Sequence, residues 1–133
     1  MDATQRIVDE FNRFVELGRG SIAMRPATER ILYYVVATRC EIDINGFASV
    51  YEQALKPEEI LVDGLIQIGE PTLASESRRG FNLLNSEGFY RHMNWKMVTD
   101  SSKAEIDAIG ERIGDRLWGL DEKLVALLDQ LRR

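Results

Sequence analysis

From Ile31 to Cys40 the chain is apolar on nearly every side of a helical wheel, because Ile31, Leu32, Tyr34, Val35, Val36 and Ala37 leave no wide polar face. A helix of this kind is stable only when other elements surround it. The pattern therefore predicts a central helix over about 26–44 that opens at Pro26, whose missing N–H would have no intrahelical partner in a first turn. Asn45-Gly46 closes it, and the rest of the chain must supply its walls.

Those walls read as further helices. Ile7, Val8, Phe11, Phe14, Val15 and Leu17 recur at spacings of three and four, with Asp9, Glu10, Asn12, Arg13 and Glu16 between them, which is an amphipathic helix. Gly18-Arg19-Gly20-Ser21 terminates it. Phe47, Val50, Tyr51, Ala54 and Leu55 keep helical spacing up to the break at Lys56-Pro57, and Pro57-Glu58-Glu59 opens the next helix with carboxylates near its positive end. Ile60, Leu61, Leu65, Ile66 and Ile68 form its buried face. Gly69-Glu70-Pro71 repeats the device of glycine stop and proline start ahead of Leu73, Ala74, Phe81, Leu83 and Leu84. Residues 85–100 read as a loop with a helical turn. Ser102-Lys103-Ala104-Glu105 fits a capping box, followed by Ile106, Ile109, Ile113, Leu117 and Trp118 on one side; after Gly119, Asp121 is placed to cap a last helix carrying Leu124, Leu127, Leu128 and Leu131. No stretch alternates with the period of a strand. The expected class is all-α, a single compact domain over 1–133 with six or seven helices around the central one.

A length of 133 residues, 44% of them hydrophobic, suits one core and not two. The 22 acidic residues outnumber the 17 basic ones, for a formal charge of -5. That balance speaks against direct binding of nucleic-acid phosphates and favours a basic or neutral partner surface. One cysteine, Cys40, excludes an internal disulfide and fits a cytoplasmic compartment. The first residues carry no apolar leader segment, and no window reaches the ~18 uninterrupted apolar residues of a membrane span.

The residue types that carry chemistry are sparse. His92 is the only histidine, Cys40 is far from it in sequence, and Glu59 with Asp63 lacks the Glu-x-x-His partners of a carboxylate metal site. Gly18-Arg19-Gly20 has neither a third glycine nor a preceding strand, so it is not a phosphate loop. Arg78-Arg79 and Arg132-Arg133 are too short for a nucleic-acid stripe. No cofactor, metal or catalytic residue is expected. One carboxylate pattern remains: Asp107, Glu111 and Asp115 recur every fourth residue and so form a row on one helix face, roughly 6 Å apart. Such a row crudely resembles the phosphates of one nucleic-acid strand. Arg112 and Arg116 are placed to pair with it.

The segment Glu41-Ile42-Asp43-Ile44-Asn45-Gly46-Phe47-Ala48-Ser49-Val50-Tyr51-Glu52-Gln53 resembles the motif Glu-Val-x-Asn-Gly-Gly-Phe-x-Gln-Phe-Phe-x-Asn of the bacterial DNA-mimic-protein-like domain family. Glu41, Ile42, Gly46, Phe47 and Tyr51 fit; Ile44, Asn45, Ser49, Val50 and Gln53 depart from it. Gly64-Leu65-Ile66-Gln67-Ile68-Gly69 is similar to the family's Ala-Leu-x-x-Ile-Gly element, with Gly69 as its glycine. The resemblance implies an all-α domain, a homodimer, and imitation of DNA to occupy a DNA-binding regulator. The motif residues Glu41, Gly46, Phe47, Tyr51 and Gly69 read as structural: Gly46 permits the turn, Phe47 anchors it, and Glu41 caps or bonds nearby backbone.

Three functional expectations follow, one of them a scaffold or immunity-type partner with no electrostatic signature. The first is a non-enzymatic protein-interaction domain whose row Asp107, Glu111 and Asp115 engages a protein partner, a basic DNA-binding regulator, with no direct nucleic-acid or membrane contact. The competing one is a small-ligand or catalytic pocket built from Glu41, Asp43, His92 and nearby aromatics.

Overall fold

The computed structural model describes residues 2–17, 24–49, 57–86 and 95–131. Among them are six α-helices: α1 (Ala3–Leu17), α2 (Ala27–Asn45), α3 (Pro57–Gln67), α4 (Pro71–Ser86), α5 (Asp100–Trp118) and α6 (Asp121–Leu131). Two short 3₁₀ turns, Phe47–Ser49 and Trp95–Met97, complete the ordered elements, and no strand occurs among the described residues. The all-α class holds. Helix α2 is central as its all-round apolar sequence requires: it packs against α1, α3, α5 and α6, burying Ile31, Leu32, Tyr34, Val35, Val36 and Ile42. It also buries Glu29, Thr38 and Arg39, which an apolar reading of the helix passes over.

The corners follow local backbone chemistry. At the end of α3 the N–H of Glu70 donates to Leu65 O at 2.8 Å and that of Gly69 to Ile66 O at 3.0 Å. This pair of bonds is the Schellman arrangement, and it needs Gly69 in the left-handed region, at φ 81°. Pro71 then starts α4 at once. Pro26 stands one residue earlier than expected, as the N-cap of α2 and not in its first turn. The expected Ser102 capping box is also displaced: Thr99 is the N-cap of α5, its hydroxyl accepting the N–H of Ser102 at 3.3 Å. A threonine three residues upstream, with Asp100 in the first turn, claims the same orphan N–H group first.

Phe47 is the point where the layers meet. The α2 corner turns at Gly46, at φ 87°, with its N–H donated to Ile42 O. Phe47 then enters the core at 1% exposure and meets Phe81 of α4 with ring centroids 5.0 Å apart. Its ring and backbone lie against Gly80 of α4 and Gly110 of α5, both of which lack the Cβ that would stand in the way. Burying such a ring stabilises the fold by about 1.5–3 kcal/mol. Gly114, one turn beyond Gly110, gives Ile42 the same close approach. Gly80 thus fixes how near the α2 corner comes to α4, and Gly110 with Gly114 how near it comes to α5.

Candidate functional site: an acidic groove between the second and fifth helices

Asp107, Glu111 and Asp115 all stand exposed on α5. Their spacing places them in line along the helix, about 6 Å from one to the next. The pairing expected from Arg112 does not form. Its Nε and Nη2 donate instead to Glu76 Oε2 of α4, at 3.3 and 2.9 Å. Helix α4 packs on α5, so a longer-range carboxylate outcompetes the local ones. Arg116 likewise forms no ion pair with the row among the described residues. The three carboxylates have no cationic partner among those residues.

The row borders a groove of about 580 Å³. Asp107, Gly110, Glu111, Gly114 and Asp115 line it from α5, and Ile42, Asp43, Gly46 and Phe47 line it from the α2 corner. The corner and the acidic row, unrelated in sequence, are the two walls of one feature. The glycines that let Phe47 and Ile42 approach α5 also leave backbone and apolar surface along the groove, while four carboxylates, those of Asp43, Asp107, Glu111 and Asp115, supply its charge. Among the described residues these are the only titratable side chains in the lining. Nearby like charges on low-dielectric walls reinforce one another's field and draw cations. No set of three or more His, Cys, Asp or Glu converges as a metal site among the described residues.

The remaining motif residues occupy other places. Glu41 is half-buried, and its Oε1 accepts the Asn45 side-chain amide at 2.8 Å, so it braces the last turn of α2 and does not line the groove. Gly69 serves the α3–α4 corner. Tyr51 and His92 lie outside the described residues, and with them the pocket that would combine Glu41 and His92.

Beside Asp43 sits a polar cluster that the sequence pattern hides. Arg39 is fully buried; its Nη1 donates to Asp121 Oδ1 at 2.6 Å and to Leu117 O at 3.2 Å. Asp121, first residue of α6, also accepts the Thr4 hydroxyl at 2.8 Å. The carboxylate expected to cap α6 therefore ties α1, α2 and α6 together. Over the Arg39 guanidinium lies Trp118, 4.3 Å from the arginine carbon to the ring centroid. Its indole N–H donates to Asp43 Oδ2 at 2.7 Å, which fixes the Asp43 carboxylate on the α2 wall. A charged residue inside an otherwise apolar run, as Arg39 is, was the available sign of this cluster. Glycines at positions 110 and 114, spaced like the acidic row, were the sign of the groove.

Comparison with protein-family models, with curated proteins and with solved structures finds no match.

Proposed function

We propose that this domain is a protein-interaction module whose acidic groove receives a basic segment of a partner protein, a DNA-binding regulator being the partner class that such a row suits. The supporting observation is that Asp107, Glu111 and Asp115 stand in line, exposed and without cationic partners among the described residues, while Asp43 faces them from the other wall. An exposed carboxylate stabilises its helix by about 0.2–0.5 kcal/mol when a cation stands at helical spacing from it. Here the nearest candidate, Arg112, is engaged by Glu76 instead. A row with about 6 Å pitch offers a basic surface the kind of regularly spaced negative charge that it meets on a nucleic-acid strand. The resemblance of the Glu41–Gln53 segment to the DNA-mimic-like family points the same way.

The test is affinity capture from lysate with wild-type protein and with the Asp107→Lys, Glu111→Lys, Asp115→Lys variant, at low and at high salt. A partner rich in Lys and Arg is expected to be held by the wild type, released as salt rises because screening shortens the reach of the charges, and missed by the variant. Identical capture by both proteins would sink the proposal.

A further inference from the structure

Trp118 continues the acidic row. Positions 107, 111, 115 and 118 fall within one narrow arc of α5, since steps of four, four and three residues return to the same side of a helix. Trp118 is 40% exposed, although a tryptophan buries more apolar surface than any other side chain when it can. It is also held in place from two directions, by the Arg39 guanidinium 4.3 Å from its centroid and by the bond from its indole N–H to Asp43. The charge of Arg39 is already met by Asp121 at 2.6 Å. The exposed part of the indole is therefore a fixed aromatic surface beside one groove carboxylate, Asp43, to which it is bonded, and at i,i+3 spacing on α5 from another, Asp115.

Resting on the acidic-groove reading, we propose that Trp118 selects arginine over lysine in the bound segment: a guanidinium stacks on the exposed indole while Asp115 and Asp43 accept its N–H groups. Three properties carry this. The ring loses little freedom on binding because it is already fixed, which favours contact residues of this kind. Tryptophan is the strongest aromatic acceptor for a cation and a frequent centre of binding energy at interfaces. A planar guanidinium can stack on a ring and donate to carboxylates at its edge in the same pose, whereas a lysine ammonium cannot stack. The carboxylate row attracts either cation; the indole discriminates between them.

The test uses two helical alanine-based peptides of equal net charge, one with arginine and one with lysine at every fourth position. They are titrated against wild type, Trp118→Leu, and the triple lysine variant of the row. In a Trp95→Phe background Trp118 is the only tryptophan of the two in the chain, so its emission reports directly on contact. The expected results are tighter binding of the arginine peptide by about fivefold, a change in Trp118 emission with that peptide, and loss of the preference in Trp118→Leu with residual binding of both. Circular dichroism checks the fold of that variant, and the emission readout needs no change at Trp118. Equal affinities for the two peptides in wild type, or unchanged Trp118 emission on binding, overturn the assignment while leaving the groove reading intact. If neither peptide binds wild type, or both bind the triple variant as well as wild type, the groove reading fails and the assignment with it.

Discussion

A Cβ on Gly80 would stand 2.5 Å from Cε1 of Phe47, closer than any real Cβ contact. The contact ties α4 to the α2 corner and so holds one wall of the groove. Gly80→Ala is expected to destabilise the domain by about 1–3 kcal/mol through overpacking, against which the better helix propensity of alanine returns only about 1 kcal/mol. Gly114→Ala meets Ile42 Cγ2 at 3.2 Å, still tight but relieved by a shift of the Ile42 side chain, and should cost less than Gly80→Ala. Urea unfolding midpoints measure both. Adding Phe47→Leu to Gly80→Ala should recover part of the loss, and a double-mutant cycle without coupling would disprove the wedge.

Arg39 and Asp121 give a second prediction. The pair is buried, and the Nε and Nη2 of Arg39 have no hydrogen-bond partner among the described residues. Asp121→Ala leaves a buried guanidinium without its counter-charge and should cost about 3–5 kcal/mol. Replacing both at once, Arg39→Met with Asp121→Leu, removes the desolvation penalty along with the attraction and should recover most of that loss. Thermal unfolding of the three proteins compares the two effects. A double variant as unstable as Asp121→Ala would show that the pair supports the helices by more than its own charges.

Cys40, one residue beyond Arg39, is half-buried, and its thiol pKa is raised above the ordinary value by burial first, with Asp43 and Glu41 adding to it and Arg39 opposing. A raised pKa leaves less thiolate at a given pH, and thiolate is the reactive form. Folded protein should therefore react with iodoacetamide more slowly than unfolded protein at the same pH, and its rate should keep rising at pH values where the unfolded thiol has levelled off. Equal rates folded and in denaturant would contradict the protected position.

Much of this was legible in the residues. The all-round apolar run from Ile31 to Val36 predicts the central helix, and Gly69-Pro71 predicts a corner, because backbone chemistry at those positions is local. The groove is not local. Asp43 and Asp115 lie on different helices, and they become opposite walls only because Gly110 and Gly114 let the α2 corner approach α5. Arg112 shows the same limit from the other side. Helical spacing offers it the row, and tertiary packing gives it Glu76. Asp121 reads as a cap by position, yet it is the partner of an arginine eighty-two residues away.

The cost of the acidic row to the fold is separable from its use. Asp107, Glu111 and Asp115 are exposed and make no ion pair among the described residues. Like charges one helical turn apart repel by about 0.2–0.5 kcal/mol per pair. Asp107→Asn, Glu111→Gln and Asp115→Asn together remove two such pairs, so the variant should be as stable as wild type or more stable by up to about 1 kcal/mol. The gain should shrink with added salt, because screening already weakens the repulsion in the wild type. Denaturant midpoints at low and high ionic strength supply the measurement. A clear loss of stability would mean that the carboxylates hold the fold, and their exposure would then no longer support a binding role. Unchanged or improved stability, combined with lost capture of a basic partner, would instead show charge retained at a cost to the fold, as expected where function and not packing maintains it.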